Sequence, residues 1–186
     1  MAENKYVTLS NAKNSYIRRP KKGDMIAGRS FFVLPGLFIL LLSSCNNGVL
    51  YQKYVSLPDK VWDVKNPLIF KVEVSDTMNY YNIFVNVRNE DNYTYSNLYL
   101  FINITSPAHT TEKDTMECML ADPNTGKWFG RGLGDIWDNK ILFKRNVRFP
   151  RKGEYLFSYT QAMRTDKLSM IRDAGLSIEK VGAPRN

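Results

Sequence analysis

The sequence predicts an all-β protein, an antiparallel β-sandwich of which the jelly roll is one form, and three observations carry that prediction. Eleven Tyr, ten Phe and three Trp bring the aromatic share to 13%, a composition that favours pleated strands. From residue 70 onward, runs of apolar and polar residues alternate strictly, which is the period of a half-buried strand. Polar clusters at 89–92, 122–126 and 150–153, rich in Asn, Asp, Pro and Gly, separate those runs and supply turns. At 186 residues, 44% hydrophobic and 24% charged, the chain suits one folded domain rather than a disordered one. It shows neither an internal repeat nor a low-complexity segment.

The head of the chain reads as an address. Residues 31–42 are twelve apolar positions without a charge, preceded by Arg29. A spanning helix needs about twenty such residues, whereas twelve suit the core of an export signal. Pro35-Gly36 in the middle of the run argues against a buried helix. Leu42-Ser43-Ser44-Cys45 follows directly and resembles a bacterial lipobox. Such a motif implies that residues 1–44 are a signal peptide and that Cys45, acylated on its thiol with palmitate or a similar chain, is the first mature residue. A start at Met25 gives a signal of ordinary length. Arg18-Arg19 is not continued as a twin-arginine signal.

Residues 45–60 show little periodicity and are expected to be a lipidated tether, with the sandwich occupying 61–183. In the run at 70–74, Phe70, Val72 and Val74 share one face. Tyr81, Ile83, Val85 and Val87 form the next inward set, and Leu98, Leu100, Ile102 and Ile104 the one after it. Residues 116–121 form a shorter strand, and 141–149 another with a break near Arg145-Asn146 that suggests a bulge. Tyr155, Phe157 and Tyr159 alternate again, and 176–178 is the last strand. Residues 166–173 are expected to make a helical turn or two. Cys118 alternates with Met116 and Leu120. With Cys45 taken by lipid it has no disulfide partner, so it reads as a buried, inert thiol.

Charge and motif content narrow the function. The net charge is +8, but residues 1–44 carry seven basic and two acidic side chains and the other 142 only nineteen and sixteen. Removing the signal removes most of the basic character, so nucleic acid is not an expected partner. The single histidine, His109, sits in a polar loop, where a solvated side chain is a better reading than a catalytic one. One His and one free Cys do not make a closed zinc site. The glycine-rich stretch 130–134, with Lys127 and Arg131 nearby, lacks the strand-then-helix setting of a phosphate-binding loop and reads as a flexible connection between sheets within a long loop, 122–139. Asp135, Asp138 and Asn139 offer oxygens but no calcium-loop pattern. Paired carboxylates of the glycosidase kind depend on spatial separation, and nothing in the spacing points to them. No catalytic residue, metal or cofactor is expected beyond the covalent lipid.

Aromatic residues are the stronger functional signal. Trp62, Trp128, Phe129 and Trp137, with Tyr80, Tyr81, Tyr93, Tyr95 and Tyr99, exceed what a core of this size is expected to hold. Tyr99 and Phe101 fall on the outward face of their strand. Such side chains suit protein partners and sugar rings. Trp128, Phe129, Arg131, Trp137, Tyr93, Tyr95 and Tyr99 are the candidate interaction surface.

Several segments in order resemble the gliding motility lipoprotein GldH family. They are the lipobox at Cys45, Tyr51-Gln-Lys-Tyr, Trp62 ahead of Pro67-Leu-Ile-Phe, Tyr81-Asn82-Ile, the stretch from Arg88 to Leu100, the loop from Thr125 to Trp137, and the segments opening at Gln161 and Asp173. The resemblance covers essentially all of 45–181. It implies a non-enzymatic lipoprotein, anchored in the outer membrane, facing the periplasm and associated with other gliding and secretion proteins. Only Cys45 carries over as a functional residue. Asp76-Thr77-Met78 and Asp114-Thr115-Met116 resemble the O-glycosylation motif of that bacterial phylum, making Thr77 and Thr115 candidate glycosylation sites. A lipid-anchored glycan-binding module is the alternative function, and an enzyme of polysaccharide or peptide metabolism a third.

Overall fold

The computed structural model describes residues 48–182, so the signal peptide, the Met25 start and Cys45 lie outside the described residues. In order the strands are β1 (Val49–Ser56), β2 (Val61–Asp63), β3 (Leu68–Val74), β4 (Tyr81–Glu90), β5 (Asn97–Thr105), β6 (Thr111–Met119), β7 (Arg131–Leu133), β8 (Ile136–Val147), β9 (Gly153–Gln161), β10 (Lys167–Ser169) and β11 (Ile171–Lys180). One sheet has the order β1-β11-β4-β8-β7, the other β3-β9-β5-β6, and β10-β2 form a separate ribbon. Every pairing is antiparallel. Setting aside the short β2, β7 and β10, the two strand orders are those of a jelly roll, a double sheet that folds two Greek keys together.

The core lies between the inner faces, where the alternating sets of the sequence meet. Phe70, Val72 and Val74 from β3, Leu98, Leu100 and Ile102 from β5, and Tyr155, Phe157 and Tyr159 from β9 are buried. They face Ile83, Val85 and Val87 of β4 and Leu176 and Ile178 of β11, also buried. Cys118 is buried on β6, and burial, then the Glu117 charge, push its thiol up to about 12. Trp62 and Tyr81 belong to the core too, so part of the expected aromatic surplus is interior.

Four expectations are corrected. The segment read as a tether contains β1, hydrogen-bonded along β11 from Val49 to Ser56. Its period is masked because it is a sheet edge, half-exposed on both faces. Residues 166–173 form β10 and the start of β11 rather than helical turns. The strand expected from 141 begins five residues earlier, at Ile136. The long loop 122–139 contains the β7–β8 hairpin. The break near Arg145-Asn146 is present: Asn146 has φ 52°, and the β4–β8 register slips between Tyr81 and Phe84.

Candidate interaction surface

The β7–β8 hairpin owes its shape to its glycines. Gly134, with φ +65°, makes the turn, a conformation that costs a side chain most. A Cβ on Gly130 would lie 2.7 Å from Asn139 Oδ1, and one on Gly132 would lie 3.2 Å from the Trp137 ring. The stretch that resembled a flexible linker is therefore a tightly packed ribbon laid against Trp137 and Asn139. Asn139 is buried and its amide donates to Asn89 Oδ1 (2.9 Å) and the Val87 carbonyl (3.3 Å), fixing the root of the hairpin to β4.

Against this ribbon the structure assembles four of the seven candidate residues. Trp128 and Trp137 stack with centroids 6.3 Å apart and ring planes 29° apart. Tyr93 lies 6.5 Å from Trp128, and Tyr95 meets Tyr93 edge-on at 5.7 Å. Both indole N–H groups donate to one oxygen, Asp91 Oδ1, at 3.1 Å from Trp128 and 3.0 Å from Trp137. The Asp91 backbone N–H donates to the Asp135 carbonyl at 2.8 Å, so the β4–β5 loop and the hairpin turn are joined. Trp128 is held from its other side by a bridge to Ala121, and the Phe129 N–H donates to the Leu120 carbonyl. Asp122 caps the preceding turn, and the Asn124 and Thr125 amides hold its carboxyl below the usual range.

The seven do not form one patch. Tyr93 is only 5% exposed, its hydroxyl donating to the Asn97 carbonyl at 3.0 Å and its phenol raised by burial. It supports the surface rather than presenting it, because the cluster closes over it. Phe129 at 60% and Leu133 at 77% exposure stand furthest into solvent. Tyr99 lies apart, on the outer face of β5 beside exposed Phe101 and opposite Glu117 of β6; Glu117, hydrogen-bonded to its hydroxyl, raises its phenol. Thr115 is exposed on β6 directly across from Phe101. Thr77 is half-buried in the turn closed by Asp76. His109, with φ 59°, tips the β5–β6 turn.

One arrangement had no signal in the sequence. On the outer face of the five-stranded sheet, Ser56, Asp173, Arg88, Asp138 and Arg131 stand opposite one another in a single row across all five strands. Arg88 lies 3.5 Å from Asp138 and 3.8 Å from Asp173, and its guanidinium sits 4.0 Å over the Tyr54 ring. Burial first, then the Asp138 charge, raises the Tyr54 phenol. Arg131, at the end of the row, forms no ion pair among the described residues. Among those residues no three His, Cys, Asp or Glu side chains group as metal ligands.

The GldH lipoprotein family profile matches residues 49–178. The chain is 36% identical over 149 residues to the gliding motility lipoprotein GldH homolog of Christiangramia forsetii, covering 76% of this chain and 90% of that protein. It is 34% identical over 151 residues to the gliding motility lipoprotein GldH of Flavobacterium johnsoniae, covering 77% and 92%.

Proposed function

The chain belongs to the GldH lipoprotein family, and on that premise we propose that it is a non-enzymatic, lipid-anchored component of the gliding and secretion machinery. Residues 1–44 direct export, Cys45 carries the acyl chains, and the sandwich faces the periplasm from the outer membrane. The β7–β8 hairpin, with Trp128, Trp137, Phe129 and Arg131, holds a protein partner. Thr115, exposed on β6, is the better placed of the two glycosylation candidates.

One observation carries this reading: the half-buried indole pair, with exposed Phe129, Leu133 and Tyr95 around it, lies at the end of the sheet opposite Val49. Val49 pairs with Glu179 at one end, while Trp137 pairs with Asn89 at the other. The ten residues of β4 separate the two ends by about 30 Å at 3.3 Å per residue. A lipid on Cys45 therefore holds the sandwich at one end and leaves the hairpin free to reach a partner. The hairpin is also pre-formed, its indoles pinned on Asp91 before any partner arrives, which lowers the ordering cost of binding. Sugar recognition is the weaker reading, because the indoles spend ring face on each other.

The test is cross-linking in cells, followed by purification of the tagged protein from its native membranes. Gliding or secretion proteins are expected to accompany it and to be lost from the Phe129→Ala variant, while Cys45→Ala is expected to leave the membrane. Polysaccharide retained with no protein partner would overturn the reading in favour of the glycan-binding module.

A further inference from the structure

Exposed apolar side chains gather at the N-terminal end of the sandwich as well, away from the hairpin. Met78 is 77% exposed, Tyr80 51%, Val181 40% and Val49 38%. Single exposed apolar residues need no explanation, but these are tied to one another. The Val181 N–H donates to the Tyr80 carbonyl and the Lys180 N–H to the Gly48 carbonyl, each at 2.8 Å, and Val49 stands opposite Glu179. Arg148 lies over the Tyr80 ring, 6.0 Å from its centroid. Asp76 folds its loop back by accepting the Met78 and Asn79 amides, so the turn that projects Met78 is preset.

The charges around this rim are unequal. Glu179 is paired with Lys140 at 2.5 Å, and the Asp76 carboxylate is occupied within its own turn. Arg148 and Lys180, both exposed, form no ion pair among the described residues. The surface thus offers aliphatic and phenolic groups flanked by free cations, the combination that settles at the boundary between head groups and acyl chains.

The covalent chain says what lies against it. Cys45 precedes Val49 by four residues, and four extended residues reach about 14 Å at most. An acylated Cys45 holds this end of the sandwich within that distance of the lipid. We infer that the rim formed by Val49, Met78, Tyr80 and Val181, with Arg148 and Lys180, is a membrane-contact face seated on the bilayer that takes the Cys45 acyl chains. The inference rests on the lipid anchorage proposed above. It makes the domain an oriented one, standing on its β1 end with the hairpin directed away, rather than a body swinging on a leash.

The test places one nitroxide label at a time on the full chain purified from native membranes and reconstituted into phosphatidylethanolamine–phosphatidylglycerol vesicles. Met78→Cys carries it at the rim and Leu133→Cys at the hairpin. The Cys45 thiol is occupied by lipid and Cys118 is buried, so only the new cysteine reacts. At position 78, relaxation by oxygen is expected to exceed relaxation by a water-soluble nickel complex, with the order reversed at 133. Tyr80→Asp is expected to shift the label at 78 towards the aqueous pattern. Equal, aqueous accessibility at both positions in a protein whose mass shows the acyl chains would overturn the membrane face and leave the anchor standing. A mass without acyl chains would overturn both.

Discussion

Asp91 is the keystone of the hairpin surface, and replacing it makes the sharpest test of how that surface is built. Its Oδ1 accepts both indole N–H groups, at 3.1 and 3.0 Å, so Asp91→Ala removes two charge-assisted bonds at once. Hydrogen bonds to charged groups contribute about 1.5–3 kcal/mol each, and the exposure of Asp91 puts these near or below the lower figure. The indole stack they align, worth about 0.5–1.5 kcal/mol, loosens without disappearing. The variant is therefore expected to lose about 2–3 kcal/mol, or about 4–12 °C in Tm at the 2–4 °C per kcal/mol of chains this size. Asp91→Asn keeps an oxygen in place but not its charge, and about half the loss is expected. Urea unfolding followed by far-UV circular dichroism gives the stability, and near-UV dichroism reports the ordering of the indoles. An Asp91→Ala loss within the ~0.5 kcal/mol of an ordinary surface substitution, with the near-UV signal intact, would refute the pinning argument.

Gly175→Ala is expected to lower the urea midpoint without changing the slope, by about 1–3 kcal/mol. The new Cβ would lie 2.6 Å from the Lys53 carbonyl oxygen on β1, and a stabilised variant would show that β1 does not press on β11. The side chain of Asn79, then the Met78 amide, hold the Asp76 carboxyl down at about 2, below the ~3.9 of an unfolded chain. The turn's contribution is accordingly full above pH ~4 and lost as the pH falls towards 2. A carboxyl titration by NMR checks this, and a midpoint near 4 would contradict it. Cys118, its thiol raised to about 12, is expected to resist alkylation in the native protein and to react on unfolding; native reaction at the unfolded rate would contradict its burial.

How much the sequence disclosed depended on whether a feature is local. Period-two alternation placed Phe70, Val72 and Val74 on one face because a strand interior on one side and wet on the other writes its burial into neighbouring residues. The edge strand β1 left no such record: its residues are half-exposed on both sides, and what makes 49–56 a strand is a partner more than a hundred residues away. The glycines at 130, 132 and 134 were visible, but not their reasons: Asn139 and Trp137 crowd the first two, and the third turns the hairpin at φ +65°. The row from Ser56 to Arg131 was invisible for a third cause. It depends on cross-strand register among five strands, and one residue of slip would send Arg88 to the other face.

Composition showed an aromatic excess without showing that it divides four ways, with Tyr99 and Phe101 apart on the outer face of β5. Trp62, Tyr81 and Tyr159 fill the core, Trp128, Trp137 and Tyr95 build one end, and Tyr80 stands at the other. The division follows from the topology. β1 and β4 run in the same direction on either side of β11, so the chain's entry and the β4–β5 loop bearing Asp91 fall at opposite ends of one sheet. Three residues, 46–48, separate Cys45 from β1 in the sequence, whereas β4 is hydrogen-bonded along both edges and cannot shorten without emptying the core. In the proposed arrangement the distance from a lipid on Cys45 to the hairpin is therefore set chiefly by the length of β4. If Cys45 carries the lipid as proposed, a partner reaching the hairpin would meet a surface at nearly fixed height above it, which a leash would not give.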